Sequence, residues 1–151
     1  MKQWSSIISG LTGAVVLTVL HETLRKTVSA APRMDKLGQE GLSKVLSASG
    51  SEVPSDDDLQ KLALGGDIIG NAAYYSMVGL KPKYSLVTGA VIGLAAGIGA
   101  VVLPGNIGLN EQYSNATAKT QVLTVLLYLT GGLVAGAVYT ILDKKGTFKK
   151  R

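Results

Sequence analysis

From Tyr84 to Pro104 the chain reads YSLVTGAVIGLAAGIGAVVLP, without one charged residue. About 20 apolar residues, rising 1.5 Å each as a helix, cross a hydrocarbon layer about 30 Å thick. A stretch of that length with no charge is read as a membrane-spanning helix. This stretch therefore constrains the chain to a membrane-embedded, all-α fold, because a helix satisfies its own backbone groups in lipid.

Three further stretches extend that expectation. QVLTVLLYLTGGLVAGAVYTIL, at 121–142, is also uncharged until Asp143. Residues 4–24 are apolar from Ile7 to Leu20, then meet His21, Glu22, Arg25 and Lys26. That apolar run approaches signal-peptide length and VSAA follows it, but the intervening charges do not suit a cleavage region, so an uncleaved span is expected. The fourth stretch, 60–80, is the least hydrophobic and carries Asp67 and Asn71, which leaves a buried helix as its competing reading. The expectation is a four-helix transmembrane bundle forming a single domain over 1–151, with spans near 4–24, 60–80, 84–104 and 121–142. Ser55 precedes Asp56, Asp57 and Asp58, a sequence suited to cap the second span and complement its positive end. The short KPK turn at 81–83 predicts an antiparallel hairpin between the second and third spans, with Gly79 near the cap.

The first connection predicts one more helix. Between residues 32 and 50, Met34, Leu37, Leu42, Val45 and Leu46 recur at helical spacing among Arg33, Lys36, Glu40 and Lys44, with Gly50 placed to end the helix. Such an amphipathic segment either caps the bundle or lies on the membrane surface.

Charge placement orients the spans. With four of them, both termini share a face with Lys81 and Lys83, and Lys2, Lys144, Lys145, Lys149, Lys150 and Arg151 add to it, so that face is expected to be cytoplasmic. Arg25 and Lys26 run against this bias. Trp4 and Tyr84 suit the inner interface and Tyr113 the outer one. The expected setting is a cell membrane crossed several times, with a bacterial inner membrane as the working assignment. NAT at 115–117 matches a glycosylation acceptor, which a bacterial source would make irrelevant.

Small residues predict how the spans meet. Gly89, Gly93 and Gly97 recur every fourth residue, Gly132 and Gly136 do the same, as do Gly131 with Ala135, and Ser6, Gly10 and Ala14 form a comparable row. Between helices in lipid the hydrophobic force is small, so close backbone approach over small residues has to hold them. These rows read as helix contacts, within one chain or between copies.

Polar residues at membrane depth are costly, about 2.5 to 3.5 kcal/mol for a central acid on insertion scales, and so should converge. His21, Glu22 and Arg25 end the first span where antiparallel geometry begins the second. Asp67, Asn71 and Tyr74 or Tyr75 follow helical spacing, and Tyr128 enters from the same side. Asp67 is expected near His21 or Arg25. The cluster has two readings: a hydrogen-bonded network that fixes helix register, or a path for protons or small cations.

Other chemistry is not supported. HETLR begins like the zinc motif H-E-x-x-H, but Arg25 stands where the second histidine is required and the chain has one histidine. No cysteine is present. Glu22, Asp35 and Asp67 leave a carboxylate-based intramembrane enzyme open without their spacing demanding one. No catalytic set, metal site or cofactor is expected. The net charge of +5 lies beside apolar segments instead of forming a basic stripe with stacking aromatics, so the expected partner is the bilayer and no nucleic acid. A second copy or another membrane protein remains open as a partner. The leading reading is a small scaffold or accessory subunit packed through glycines, and the alternative is a transporter or channel for protons or small cations.

Overall fold

The computed structural model describes residues 2–148, and Met1, Lys149, Lys150 and Arg151 lie outside the described residues. The three C-terminal cations that entered the charge argument are among those four. Among the described residues six α-helices follow one another: α1 (Lys2–Thr27), α2 (Met34–Ala48), α3 (Asp56–Tyr75), α4 (Ser85–Asn106), α5 (Gln112–Asn115) and α6 (Ala118–Phe148). Two 3-10 turns, Ser76–Gly79 and Pro82–Tyr84, join α3 to α4, and no strand occurs among the described residues.

Among the described residues three helices are long and apolar enough to cross a membrane: Gln3–Thr27, Pro82–Asn106 and Ala118–Lys144. The stretch expected as a second span is not among them. Its α-helix starts at Asp56 behind the Ser55 cap, as the sequence suggests, and ends at Tyr75 instead of running on to residue 80. Asp56, Asp57, Asp58 and Lys61 fill its first turns, and Asp67 and Asn71 interrupt the apolar part that follows. At its start Ser55 Oγ accepts from Asp58 N at a long 3.5 Å and donates to Asp58 Oδ2 at 3.2 Å.

The long helices run alternately. α3 lies antiparallel to α1: a methyl on Gly10 would meet Ser76 Cα at 3.0 Å, and one on Gly79 would meet Ser6 Cβ at 3.0 Å. Gly79, near the end of that helical segment as expected, serves close approach, and its φ is not positive. α4 lies antiparallel to α6. Methyls on Gly93, Gly97 and Gly136 would sit 2.7 Å from Tyr128 O, 2.7 Å from Val125 Cα and 2.6 Å from Ser85 O, well inside van der Waals contact. Gly89 and Gly132 face each other more tightly still. α1 meets α6 at Gly13, where a methyl would lie 2.5 Å from Gly131 O.

The hairpin joined by KPK is open. α3 and α4 make few contacts with each other, because α3 packs on α1 and α4 on α6. A groove of about 470 Å³ is left between them, floored by Ala95, Ala96, Gly99 and Ala100 and roofed by Met34 and Leu37.

Burial is distributed as lipid requires, with small residues inside and large ones outside. Gly89, Gly93 and Gly97 are buried, whereas Val87, Val91, Ile98 and Val102 of the same helix are exposed, as are Ile7, Ile8, Leu11 and Val15 of α1. The end of the bundle nearest residue 2 is closed by Ala14, Tyr75, Val78, Ala135 and Tyr139, each with no accessible surface. The opposite, distal end holds a looser cluster of Leu17, Leu127 and Tyr128.

α2 caps that distal end. Leu37 is its buried anchor, while Val45, expected on the apolar face, is exposed. Glu40 Oε2 accepts from Asn110 N at 2.9 Å, Lys44 pairs with Glu40 at 2.9 Å and also donates to Gly108 O, and Arg33 N donates to Tyr113 O at 2.7 Å. Gly50, at φ 74°, ends the segment after Ala48. Pro104 does not end α4, which continues to Asn106. Gly108, at φ 77°, then turns the chain so that Leu109 N donates to Pro104 O at 2.8 Å. α6 begins before the expected residue 121 because Thr117 Oγ1 accepts from Thr120 N at 3.1 Å, capping it upstream.

Candidate functional site: a polar vestibule at the distal end

His21, 7% exposed, sits where α1 passes under the start of α2. Its Nε2 lies 3.0 Å from Pro32 O. A carbonyl only accepts, so Nε2 carries the hydrogen and, in the neutral ring, Nδ1 is left as the acceptor. Nδ1 faces Glu22 Oε1 at 3.8 Å. Glu22 is itself held in a fork by Arg25, with Nε to Oε1 at 2.8 Å and the second nitrogen to Oε2 at 2.6 Å. Arg33 grips Asp35 the same way, at 3.0 and 2.8 Å. Outside the spans, burial pushes the Asp35 carboxyl up, but the Arg33 hydrogen bonds and charge outweigh it and hold it below the ordinary range. Glu40 is also held low, by the Asn110 backbone N–H first and Lys44 second.

Asp67 reaches the same region from α3. It is exposed toward a vestibule of about 70 Å³ whose walls include Thr18, His21, Glu22, Asp35, Gln39 and Gln60. One carboxylate oxygen accepts from Asn71 Nδ2 at 3.0 Å. His21 and Asp67 thus share a cavity, but the His21 nitrogens are turned to Pro32 and Glu22. Arg25 is committed to Glu22, three residues away on its own helix, instead of to Asp67. An i, i+3 pair forms locally without paying the entropy of a partner on another helix, which accounts for the difference.

The tyrosines leave the cluster. Tyr74 OH donates to Ile92 O at 3.0 Å and Tyr75 OH to Tyr128 O at 2.8 Å, so they pin α3 to α4 and α6 instead of lining a polar path. Their rings lie against each other at 5.9 Å. Tyr128, 9% exposed, does border a cavity with His21 and Asp67. Residues that the spacing argument passed over are Thr18, Gln39, Gln60, Pro32 and Arg33. Thr18 stands three residues before His21 and Gln60 seven before Asp67, so helical periodicity alone would have placed both. Pro32 and Arg33 lie in an irregular link with no periodic signal.

Glu22 and Asp35, two of the three carboxylates at the vestibule, are each occupied by an arginine. Among the described residues no group of three or more histidine and carboxylate side chains is placed to hold a metal ion. The glycosylation match falls on a half-buried Asn115, whose amide nitrogen lies 3.5 Å from Val101 O and whose oxygen accepts from Gln121 at 2.6 Å. Comparison of the chain with family models, curated proteins and solved structures returns no match.

Proposed function

We propose that the chain is a four-span integral membrane protein acting as a scaffold or accessory subunit, with both termini and the KPK turn on the cytoplasmic side. The fourth span is α3, less apolar than the others and held by α1 and by its tyrosine bonds. Its antiparallel course beside α1, from Asp67 near His21 to Gly79 at Ser6, supports this reading. The observation that carries the scaffold role is the dead end beneath the vestibule. Tyr75, Val78 and Tyr139 fill the bundle between the polar cluster and the opposite end, with no accessible surface. A conducting path needs a continuous water-filled opening there, and these close-packed side chains leave none. The exposed apolar faces of α1 and α4 are then free for lipid, a second copy or another membrane protein.

Transport of protons or small cations is the competing function, favoured by the exposure of Asp67 to the vestibule. Reconstitution separates the two. Proteoliposomes carrying the protein are expected to leak protons and 22Na+ no faster than protein-free vesicles. Flux above that level, abolished by Asp67→Asn in a folded protein, would replace the scaffold reading with transport.

A further inference from the structure

Below the vestibule, between α1, α3 and α6, lies a smaller cavity of about 10 Å³ bordered by Leu17, Thr18, His21, Asp67, Leu127 and Tyr128. That is about the room one water-sized sphere fills. Three oxygen-bearing side chains around it are incompletely used. Thr18 Oγ1 is buried without a hydrogen-bond partner. Thr12, Thr23 and Thr27 of the same helix each donate to the carbonyl four residues back, at 2.8, 2.8 and 2.9 Å, so Thr18 departs from its helix's own pattern. The Tyr128 hydroxyl makes no hydrogen bond among the described residues, although the residue is 9% exposed. Asp67 receives one hydrogen bond, from Asn71, and differs from Glu22 and Asp35 in having no arginine.

We propose that this cavity binds one small monovalent cation of the Na+ class, held by the Asp67 carboxylate and by the hydroxyl oxygens of Thr18 and Tyr128. Hard oxygen donors suit a hard cation, and one uncompensated carboxylate matches a single positive charge. The arginines already neutralise the neighbouring acids, so a divalent ion would leave surplus charge in a site walled by leucines. A cavity that admits one water-sized sphere also admits one desolvated alkali-metal cation. The vestibule shares Thr18, His21 and Asp67 with the cavity and gives the ion an entry and its remaining water ligands. Bound there, the ion ties α3 to α1 and α6. The site is independent of the scaffold reading, since binding and flux are measured separately.

The test is thermal unfolding of the full chain in detergent, in NaCl, KCl or choline chloride at equal ionic strength, with 22Na+ binding read in parallel. The expected result is a melting temperature that rises saturably with NaCl but not with choline. Asp67→Asn should abolish both that rise and 22Na+ binding. Tyr128→Phe, which removes only the hydroxyl, should raise the half-saturating Na+ concentration about tenfold, as loss of one ligand to a charge implies. Thr18→Val should act in the same direction. Identical melting in NaCl and choline, with no saturable 22Na+ binding, would show that the cavity holds water only and overturn the proposal. Na+-dependent stabilisation that survives unchanged in folded Tyr128→Phe and Asp67→Asn would overturn it equally.

Discussion

The α4–α6 pair and the α1–α3 pair solve the same problem by different means. α4 and α6 approach over Gly89, Gly93, Gly97, Gly132 and Gly136 until backbone touches backbone. α3 carries three glycines, Gly65, Gly66 and Gly70, that meet nothing within 4 Å. It is held instead by Gly10 and Gly79 at one end, by two tyrosine hydroxyls, and by a polar vestibule at the other. The comparison teaches that a glycine marks an interface only where another helix's backbone or ring comes up against it, as Gly132 meets Gly89 and Gly131 meets Tyr75. Where it does not, polar bonds fix the position of a helix that is itself short of apolar residues. The first pair is tight; the second leaves two cavities beside Asp67.

Substitutions can break this contrast. Gly89→Leu should be the most damaging, because its side chain would be driven into the Gly132 backbone, which cannot yield. A loss of about 3 kcal/mol is expected in detergent unfolding, at the upper end of overpacking costs. Gly66→Leu on α3, with open space around it, should fall within about 0.5 kcal/mol of the parent. Equal losses for the two would remove the distinction.

Arg25→Met comes next. It leaves Glu22 without its fork partner beside His21 and should cost about 1 kcal/mol, the upper range for a partly exposed pair. A double-mutant cycle with Glu22→Gln should recover most of that as coupling. Tyr75→Phe removes one bond to Tyr128 O and keeps the ring, and a loss of about 0.6 kcal/mol is expected, the average for polar contacts within membranes.

The mildest change should come from pH and be confined to α2. Asp35 and Glu40 have folded-state values below their usual 3.8 and 4.5, so their contribution is complete above those values and is lost as pH falls through the lowered ones. Hydrogen-exchange protection factors in α2, which correct for the intrinsic slowing of exchange in acid, should therefore fall as pH drops below those usual values while α4 and α6 stay protected. Uniform loss of protection across all helices would contradict this.

Much of the tight region was legible in the sequence. The uncharged runs placed α4 and α6, and the four-residue spacing of glycines named their contact residues. The ends were less legible. Thr117 and Gly108 extended helices beyond the points where polarity or Pro104 suggested they stop, because caps act within one turn and leave no periodic trace. The vestibule was half legible: His21, Asp67 and Tyr128 border one cavity, as antiparallel helices bring them together. Arg25 and Arg33 chose sequence neighbours, and Tyr74 and Tyr75 turned to carbonyls on α4 and α6. Helical spacing tells which residues share a face, but not which of several polar partners a long side chain will reach.

The account stands most directly on α3 crossing the membrane despite its acids. Because the chain has no cysteine, single substitutions report position cleanly. Ser51→Cys and Lys81→Cys flank α3, and Asn110→Cys and Lys144→Cys flank α6. In sealed vesicles of known orientation, an impermeant maleimide should label Ser51→Cys and Asn110→Cys from the outer side. Lys81→Cys and Lys144→Cys should react only after permeabilisation. Labelling of Ser51→Cys and Lys81→Cys from the same side would mean that α3 does not cross, and would contradict the four-span arrangement.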